Sequence, residues 1–345
     1  MYRQPVLRIL LLVLTLAISP TLFARDVSHI FNQVAPSVIE VHVEQLIVKG
    51  TQFKEFVLVP SQGSGVLVSA DGKVITVAHL VQSADKVTIH TKEGDRIPAR
   101  VIASEPAVDL ALLQLERVPA GLAPATLANS DEVQIGQQSF IVGAPYGLHP
   151  TLTVGYIGGR HHPISPFGPF QPSEMFKTDA SMHKGSSGSP LFNMKGEVIG
   201  VATQVVISEG SYEGLGFAIP SNTVKSILLD KKSLWTGIEG YWLSGGLAQA
   251  VNLPQSSGML VQRIASHSLG SKLKLQIGTA PALVGEDTFV LGGDVILSMQ
   301  GISLAEESGY ARARAQLALL KDGELMNFMV MRAGKILELS APVSR

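Results

Sequence analysis

Three segments hold side chains that together could perform acyl transfer: Thr76-Val77-Ala78-His79, Val108-Asp109-Leu110-Ala111-Leu112-Leu113 and Gly185-Ser186-Ser187-Gly188-Ser189-Pro190. In chain order they offer an imidazole, a carboxylate and a hydroxyl. A serine hydroxyl is a poor nucleophile until an imidazole accepts its proton, and that imidazole needs a carboxylate to fix its tautomer and steady its charged form. His79, Asp109 and Ser187 match these roles. The glycines beside Ser187 permit a tight turn that aims the N–H groups of Gly185 and Ser187 at a developing oxyanion. Each piece has a plainer reading. Gly-Ser-Ser-Gly-Ser is also a polar surface turn, and Asp109 also a cap for the turn starting at Glu105-Pro106. Yet Asp109 leads straight into Leu110–Leu113, where an unpaired carboxylate is costly to bury, and a partner such as His79 removes that cost.

The elements that must position these residues read mostly as strands. Ile39, Val41 and Val43 alternate with Glu40, His42 and Glu44, the period of a half-buried strand. Short runs of the same kind recur at Gly65–Ser69, Val74–Ala78, Lys86–His90, Leu110–Leu115, Ser139–Val142, Thr153–Ile157 and Glu197–Thr203, separated by turn pairs such as Asp71-Gly72 and Lys195-Gly196. Many short strands with glycine-marked turns predict a barrel or sandwich. A helix is predicted to begin at Pro220-Ser221-Asn222 and run to Lys231, which ends a first domain near residue 232. Beyond Gly237 the pattern predicts a small α+β domain: strands at Met259–Ile264, Asp294–Met299 and Leu325–Met331, a helix around Tyr310–Leu320, and a hairpin turn at Arg332-Ala333-Gly334-Lys335. Gly270–Gly292 between them shows no clear periodicity.

Composition narrows the chemistry. The 345 residues are 46% hydrophobic and 16% charged, enough for at least one full core. With 27 Lys and Arg against 28 Asp and Glu, the near-neutral balance gives no reason to expect a nucleic-acid partner. There is no cysteine, which excludes disulfides, thiolate metal sites and a cysteine nucleophile. No cofactor and no metal site are read from the sequence; His161-His162, without further ligands, reads as an exposed polar pair. Residues 1–24 read as a signal peptide: Arg3 and Arg8 precede an apolar run from Ile9 to Ile18, and Ala24 offers a cleavage site. The run is short for a membrane-spanning helix, so anchoring is the weaker alternative to export, with the periplasm the expected compartment.

The motifs as a set resemble the HtrA/Deg family: a chymotrypsin/trypsin-like double β-barrel, mainly β, followed by an α+β PDZ domain. The resemblance rests on Val34-Ala35-Pro36-Ser37-Val38, Gly63-Ser64-Gly65-Val66, Ala78-His79-Leu80-Val81, Asp109–Leu113, Gly143-Ala144-Pro145-Tyr146-Gly147, Thr178-Asp179-Ala180, Gly185–Pro190 and Gly214–Pro220. It covers nearly all of the chain after residue 24. It implies a protease domain over 25–232 and a PDZ-like domain over 237–345. It implies that His79 is the general base, Asp109 its orienting acid and Ser187 the nucleophile, with the oxyanion hole at Gly185 and Ser187. By the same resemblance the substrates are unfolded or misassembled proteins, the PDZ-like domain takes C-terminal peptides by strand addition, and the chain forms a homotrimer. Ser181, six residues before the nucleophile, falls at the base of the primary specificity pocket in this fold, with Leu215 and Ile219 nearby; without a carboxylate there, small or medium apolar side chains are expected before the cut.

The chain also departs from the family pattern. Ser186 and Ser189 stand where the family has Asn and Gly, His183-Lys184 replaces an Asn-Pro pair, and Gly237-Ile238-Glu239-Gly240 is a fair match to the carboxylate-binding segment. These departures support a second reading, a PDZ scaffold or holdase whose protease barrel is latent. An esterase of the α/β-hydrolase kind is disfavoured by the order His, Asp, Ser. Pro163, Pro166, Pro169 and Pro172 recur at the polyproline II interval within 160–174, which reads either as a stiff surface loop or as a relay to the active site.

Overall fold

The computed structural model describes residues 27–49, 55–91, 93–145, 150–161, 174–208, 211–231, 233–284, 287–306 and 308–344. The predicted signal peptide and most of the proline-repeat segment lie outside the described residues.

Six strands form a first closed barrel: β1 (Val38–Lys49), β2 (Glu55–Leu67), β3 (Lys73–Thr76), β4 (Lys86–His90), β5 (Arg96–Glu105) and β6 (Leu110–Leu115), in the order β1-β2-β3-β6-β5-β4. The alternation in β1 works as its sequence requires. Ile39, Val41 and Val43 are buried inside, leaving Glu40, His42 and Glu44 on the opposite face. A second closed barrel holds β7 (Gln138–Gly143), β8 (Thr151–His161), β9 (Met175–Thr178), β10 (Pro190–Asn193), β11 (Val198–Ser208) and β12 (Ser211–Pro220), in the order β10-β11-β12-β9-β8-β7. Strand β7 is buried on both faces: Phe140 and Val142 join a core shared with the first barrel, while Ile141 points into the second. Phe140 stacks on Phe192 at 5.3 Å; each fully buried ring of this kind contributes on the order of 2 kcal/mol. Closure pairs β1 with β4 and β7 with β10, so neither sheet ends in an unpaired strand.

A helix from Ser221, continuing as a π-helical stretch to Asp230, leads out of the second barrel. The C-terminal part has a sheet ordered β13 (Ile238–Ser244), β14 (Ser257–Ile264), β17 (Val295–Met299), β19 (Leu325–Arg332) and β20 (Lys335–Pro342), with β18 (Ile302–Ser303) paired to β17. The helix Gly309–Leu319 packs over it, burying Tyr310, Ala313 and Leu317. The predicted turn between β19 and β20 is tight: Arg332 pairs with Lys335, and Ala333 and Gly334 both have positive φ, +48° and +78°, as a two-residue hairpin loop requires. The stretch Gly270–Gly292, aperiodic in sequence, contains a turn of helix at Leu269–Lys272 and a separate hairpin of β15 (Ala280–Val284) and β16 (Asp287–Leu291). β15 reads Ala-Pro-Ala-Leu-Val and β16 Asp-Thr-Phe-Val-Leu, and neither alternates polar with apolar residues.

The C-terminal part docks on the first barrel through specific bonds. Gln82 Nε2 donates to the Ile238 carbonyl at 2.7 Å, Trp235 Nε1 to the Gln82 carbonyl at 2.9 Å, and Ser83 Oγ to Glu239 Oε2 at 2.5 Å. Arg314, on the helix Gly309–Leu319 and almost wholly buried, donates to the carbonyls of Ser104 and Leu234 and faces Glu105.

Candidate active site

His79 is the one exposed position of a single-turn helix, Ala78–Val81, whose Ala78, Leu80 and Val81 are buried. Three apolar anchors therefore fix the turn and leave the imidazole, 52% exposed, facing outward. The helix follows β3, and β3 pairs with β6, Thr76 opposite Ala111. This ladder brings Asp109, the residue before β6, beside His79. Asp109 follows the 3₁₀ turn Pro106–Val108 and adopts φ +53°, ψ +43°, a left-handed conformation that Asp tolerates better than most residues. Its Oδ1 accepts from the backbone N–H of His79 and its Oδ2 lies on the ring Nδ1, both at 2.8 Å. Two contacts to one carboxylate hold the ring and orient its other nitrogen, Nε2, away from Asp109.

Ser187 arrives from the second barrel, in the turn between β9 and β10. That turn is held from the first barrel by Ser64: its N–H donates to the Ser187 carbonyl at 2.8 Å and its hydroxyl to the Gly185 carbonyl at 2.8 Å, and the hydroxyl accepts from Ala144 N–H at 3.0 Å. Gly188 has φ +86°, and a Cβ there would sit 2.0 Å from the Ser64 carbonyl oxygen, so only glycine fits. Within the turn, the N–H groups of Ser186, Gly188 and Ser189 have backbone acceptors in His183, Ala202 and Ser186. Those of Gly185 and Ser187 have none among the described residues, which leaves them as donors for a ligand.

Thr203, on β11, joins the two halves, and nothing in the sequence marks it for the site. Its hydroxyl donates a short hydrogen bond to Asp109 Oδ2, and its carbonyl accepts from Ser187 Oγ at 3.3 Å. No hydrogen bond links Ser187 Oγ to His79 among the described residues; uncomplexed sites often tighten only around a substrate. The strand Glu197–Thr203 is legible in the sequence, but not that its last residue reaches across both barrels.

Burial pulls the His79 imidazole down, but the hydrogen bond and charge of Asp109, joined by the charge of Glu239, more than offset it and hold the ring above its ordinary pKa. Glu239 belongs to the C-terminal part, and no sequence pattern places it near the site.

The residues expected to set specificity are differently placed. Ser181 is exposed and its carbonyl accepts from Thr153 Oγ1 at 2.9 Å, while Leu215 is half-buried. Ile219 is 1% exposed and packs in the core shared by the barrels. Met182, buried beside Ser181, packs against Gly216, where an added Cβ would meet Met182 Cε at 2.6 Å. Ser189 is fully buried with no hydrogen-bond partner for its hydroxyl among the described residues. It fits because its neighbour is a glycine: a Cβ on Gly143 would lie 2.0 Å from Ser189 Oγ.

The trypsin-like peptidase domain model matches residues 63–201, from the part of β2 that supports the Ser187 turn into the strand that carries Thr203. The periplasmic pH-dependent serine endoprotease DegQ of Escherichia coli is 32% identical over 330 residues, covering 89% of this chain and 68% of DegQ. The chain belongs to the HtrA/Deg family of serine proteases. A probable periplasmic serine endoprotease, DegP-like, of Ectopseudomonas mendocina is 30% identical to this HtrA/Deg chain over 271 residues, 76% of this chain and 54% of that protein. The chain thus spans about half the length of several curated relatives it matches. Among solved structures, a variant of the HtrA-type protease AlgW with a decapeptide superposes with a TM-score of 0.54 at 24% identity, covering 92% of this chain and 96% of that one; this likeness concerns the fold.

Proposed function

We propose that the chain is a serine endoprotease in which Ser187 is the nucleophile, His79 the general base and Asp109 the residue that orients it. The observation that carries the proposal is the double contact of Asp109 on His79, with Thr203 bridging the same carboxylate to Ser187. When a peptide binds, Ser187 Oγ turns from the Thr203 carbonyl to His79 Nε2, which takes its proton as Oγ attacks the scissile carbonyl. The oxyanion is held by the N–H groups of Gly185 and Ser187. His79 then gives the proton to the leaving amine, and water hydrolyses the acyl-enzyme through the same base. Ser181 at the rim and Met182 behind it offer no carboxylate to Lys or Arg, so small or medium apolar side chains precede the cut. Half-buried Leu215 completes that wall, and Ile219, packed in the core, takes no part in it.

The protease domain spans 25–232, and the PDZ-like domain 237–345 binds peptide C-termini along β13, an edge strand of its sheet. Substrates are unfolded or misassembled proteins, met in the periplasm after the segment 1–24 directs export, by a homotrimer. The relatives' names and the bound peptides of the AlgW structures support this reading.

One observation favours a second reading, a peptide-binding protein with a latent barrel: the Ser187 hydroxyl is hydrogen-bonded to Thr203, not to His79. Digestion of an unfolded model protein by the full chain and by its Ser187→Ala variant separates the two. Cleavage by the first only is the expected result; no cleavage by either, with or without an added C-terminal peptide, would overturn the protease reading.

A further inference from the structure

On the outer face of the first barrel, away from the triad, three ligand-bearing side chains converge. Glu40 and His42 are two apart on β1, so they share a face. His90 closes β4 directly opposite Glu40 in the antiparallel ladder, where Glu40 pairs with His90 and His42 with Thr88. His42 Nε2 lies 3.0 Å from Glu40 Oε2, and the rings of His42 and His90 stack with centroids 3.7 Å apart. One donor atom from each of the three lies within 4.8 Å of the other two. All three are half-buried, Glu40 with only 13% of its side chain exposed.

We propose that Glu40, His42 and His90 bind a divalent transition-metal ion of the zinc type. Two imidazoles and a carboxylate are the donor set that zinc takes at three of its four positions, leaving the fourth to water. With bonds of about 2.0–2.1 Å at tetrahedral angles, donors around such an ion stand roughly 3.3–3.4 Å apart, so donor atoms that lie within 4.8 Å of one another need to close by about 1.5 Å at most. Side-chain rotation also turns the two rings out of their stack so that their nitrogens face one point. The flanking charges are Arg96, opposite His90 on β5, and the Lys86–Glu44 pair further along the same ladder. Glu44 is taken by Lys86 at 2.8 Å, so the carboxylate at the site is Glu40. β1 and β4 are the first and last strands in the barrel's order, hydrogen-bonded to each other to close it. An ion held there clamps the closing seam and stabilises the folded chain by mass action.

The test is titration of zinc chloride into the metal-stripped full chain, with calorimetry for affinity and thermal unfolding for stability, beside His90→Gln, His42→Gln and Glu40→Gln. The expected result is one ion per chain, a raised Tm on saturation, and affinity lowered by at least about tenfold in each variant. His79→Gln and His161→Gln retain the same binding. Cobalt in place of zinc gives the unmodified chain the intense visible bands of a four-coordinate site, a readout that survives if a variant fails to fold. No saturable binding, affinity in the His42 and His90 variants equal to that of the unmodified chain, or loss of binding in His79→Gln instead, would overturn the proposal.

Discussion

The Thr203 hydroxyl donates to the same Asp109 oxygen that contacts the His79 ring. That oxygen is thereby shared between a neutral donor and the imidazole, and each draws on its basicity. Thr203→Val keeps the volume and removes the hydroxyl. Freed of the competing donor, the carboxylate holds the imidazolium more strongly. We expect kcat to fall about tenfold and the acidic limb of the kcat/KM profile to move to higher pH, read from peptide hydrolysis across the acidic to mildly alkaline range.

Glu239 acts on the same ring from the C-terminal part, by charge and at longer range. Glu239→Gln removes one of the influences that hold His79 above its ordinary pKa. The acidic limb should then move to lower pH, opposite in sign to the Thr203 variant. Added salt should shrink the difference between this variant and the unmodified chain, since the ring is half exposed.

Ser189 and Gly143 form a matched pair. Ser189→Ala removes a buried hydroxyl that lacks a partner and should raise stability by about 1 kcal/mol, measured by denaturant unfolding. Gly143→Ala drives a Cβ into Ser189 Oγ and should cost about 1–3 kcal/mol. Combining Gly143→Ala with Ser189→Gly should recover part of that loss, a coupling that independent sites would not show.

Arg314 is a buried charge that ties the C-terminal helix to the Ser104 and Leu234 carbonyls and to Glu105. Arg314→Ala removes the guanidinium donor from both carbonyls, that of Ser104 keeping the Ser233 hydroxyl at 3.3 Å, and leaves Glu105 without its facing cation, at a cost of about 2–4 kcal/mol. Lysine should not restore it, because an ammonium is more strongly hydrated than a guanidinium and costs more to bury. Thermal unfolding of the three proteins gives the comparison.

Much of this is readable before any coordinates. The alternation in β1, the glycine-marked turns and the apolar run after Asp109 predict barrel strands, and the three polar residues predicted to meet lie on connected elements. The missing parts are those set by distance in the chain. Thr203 reaches Asp109 across 94 positions and Ser64 reaches Gly185 across 121, and no local pattern marks a residue for such a meeting. β5 is hidden in the sequence because Pro98 breaks its pattern, although it pairs with strands on both sides. His90 is readable as the end of a strand, but only the register places it opposite Glu40.

The support that Ser64 gives to the Gly185–Ser187 turn also has a consequence in time. The bonds of Ser64 to the Ser187 and Gly185 carbonyls come from the other barrel, so they do not exist until both sheets have closed and met. Contacts of such long sequence separation form late in folding. A chain still emerging or only half folded holds a histidine and an aspartate in one barrel, and a serine whose turn has the bonds of Ala202 but lacks those of Ser64. Under the proposed roles, the order of assembly is its own safety catch: the three residues meet in a fully braced site only when both barrels are finished.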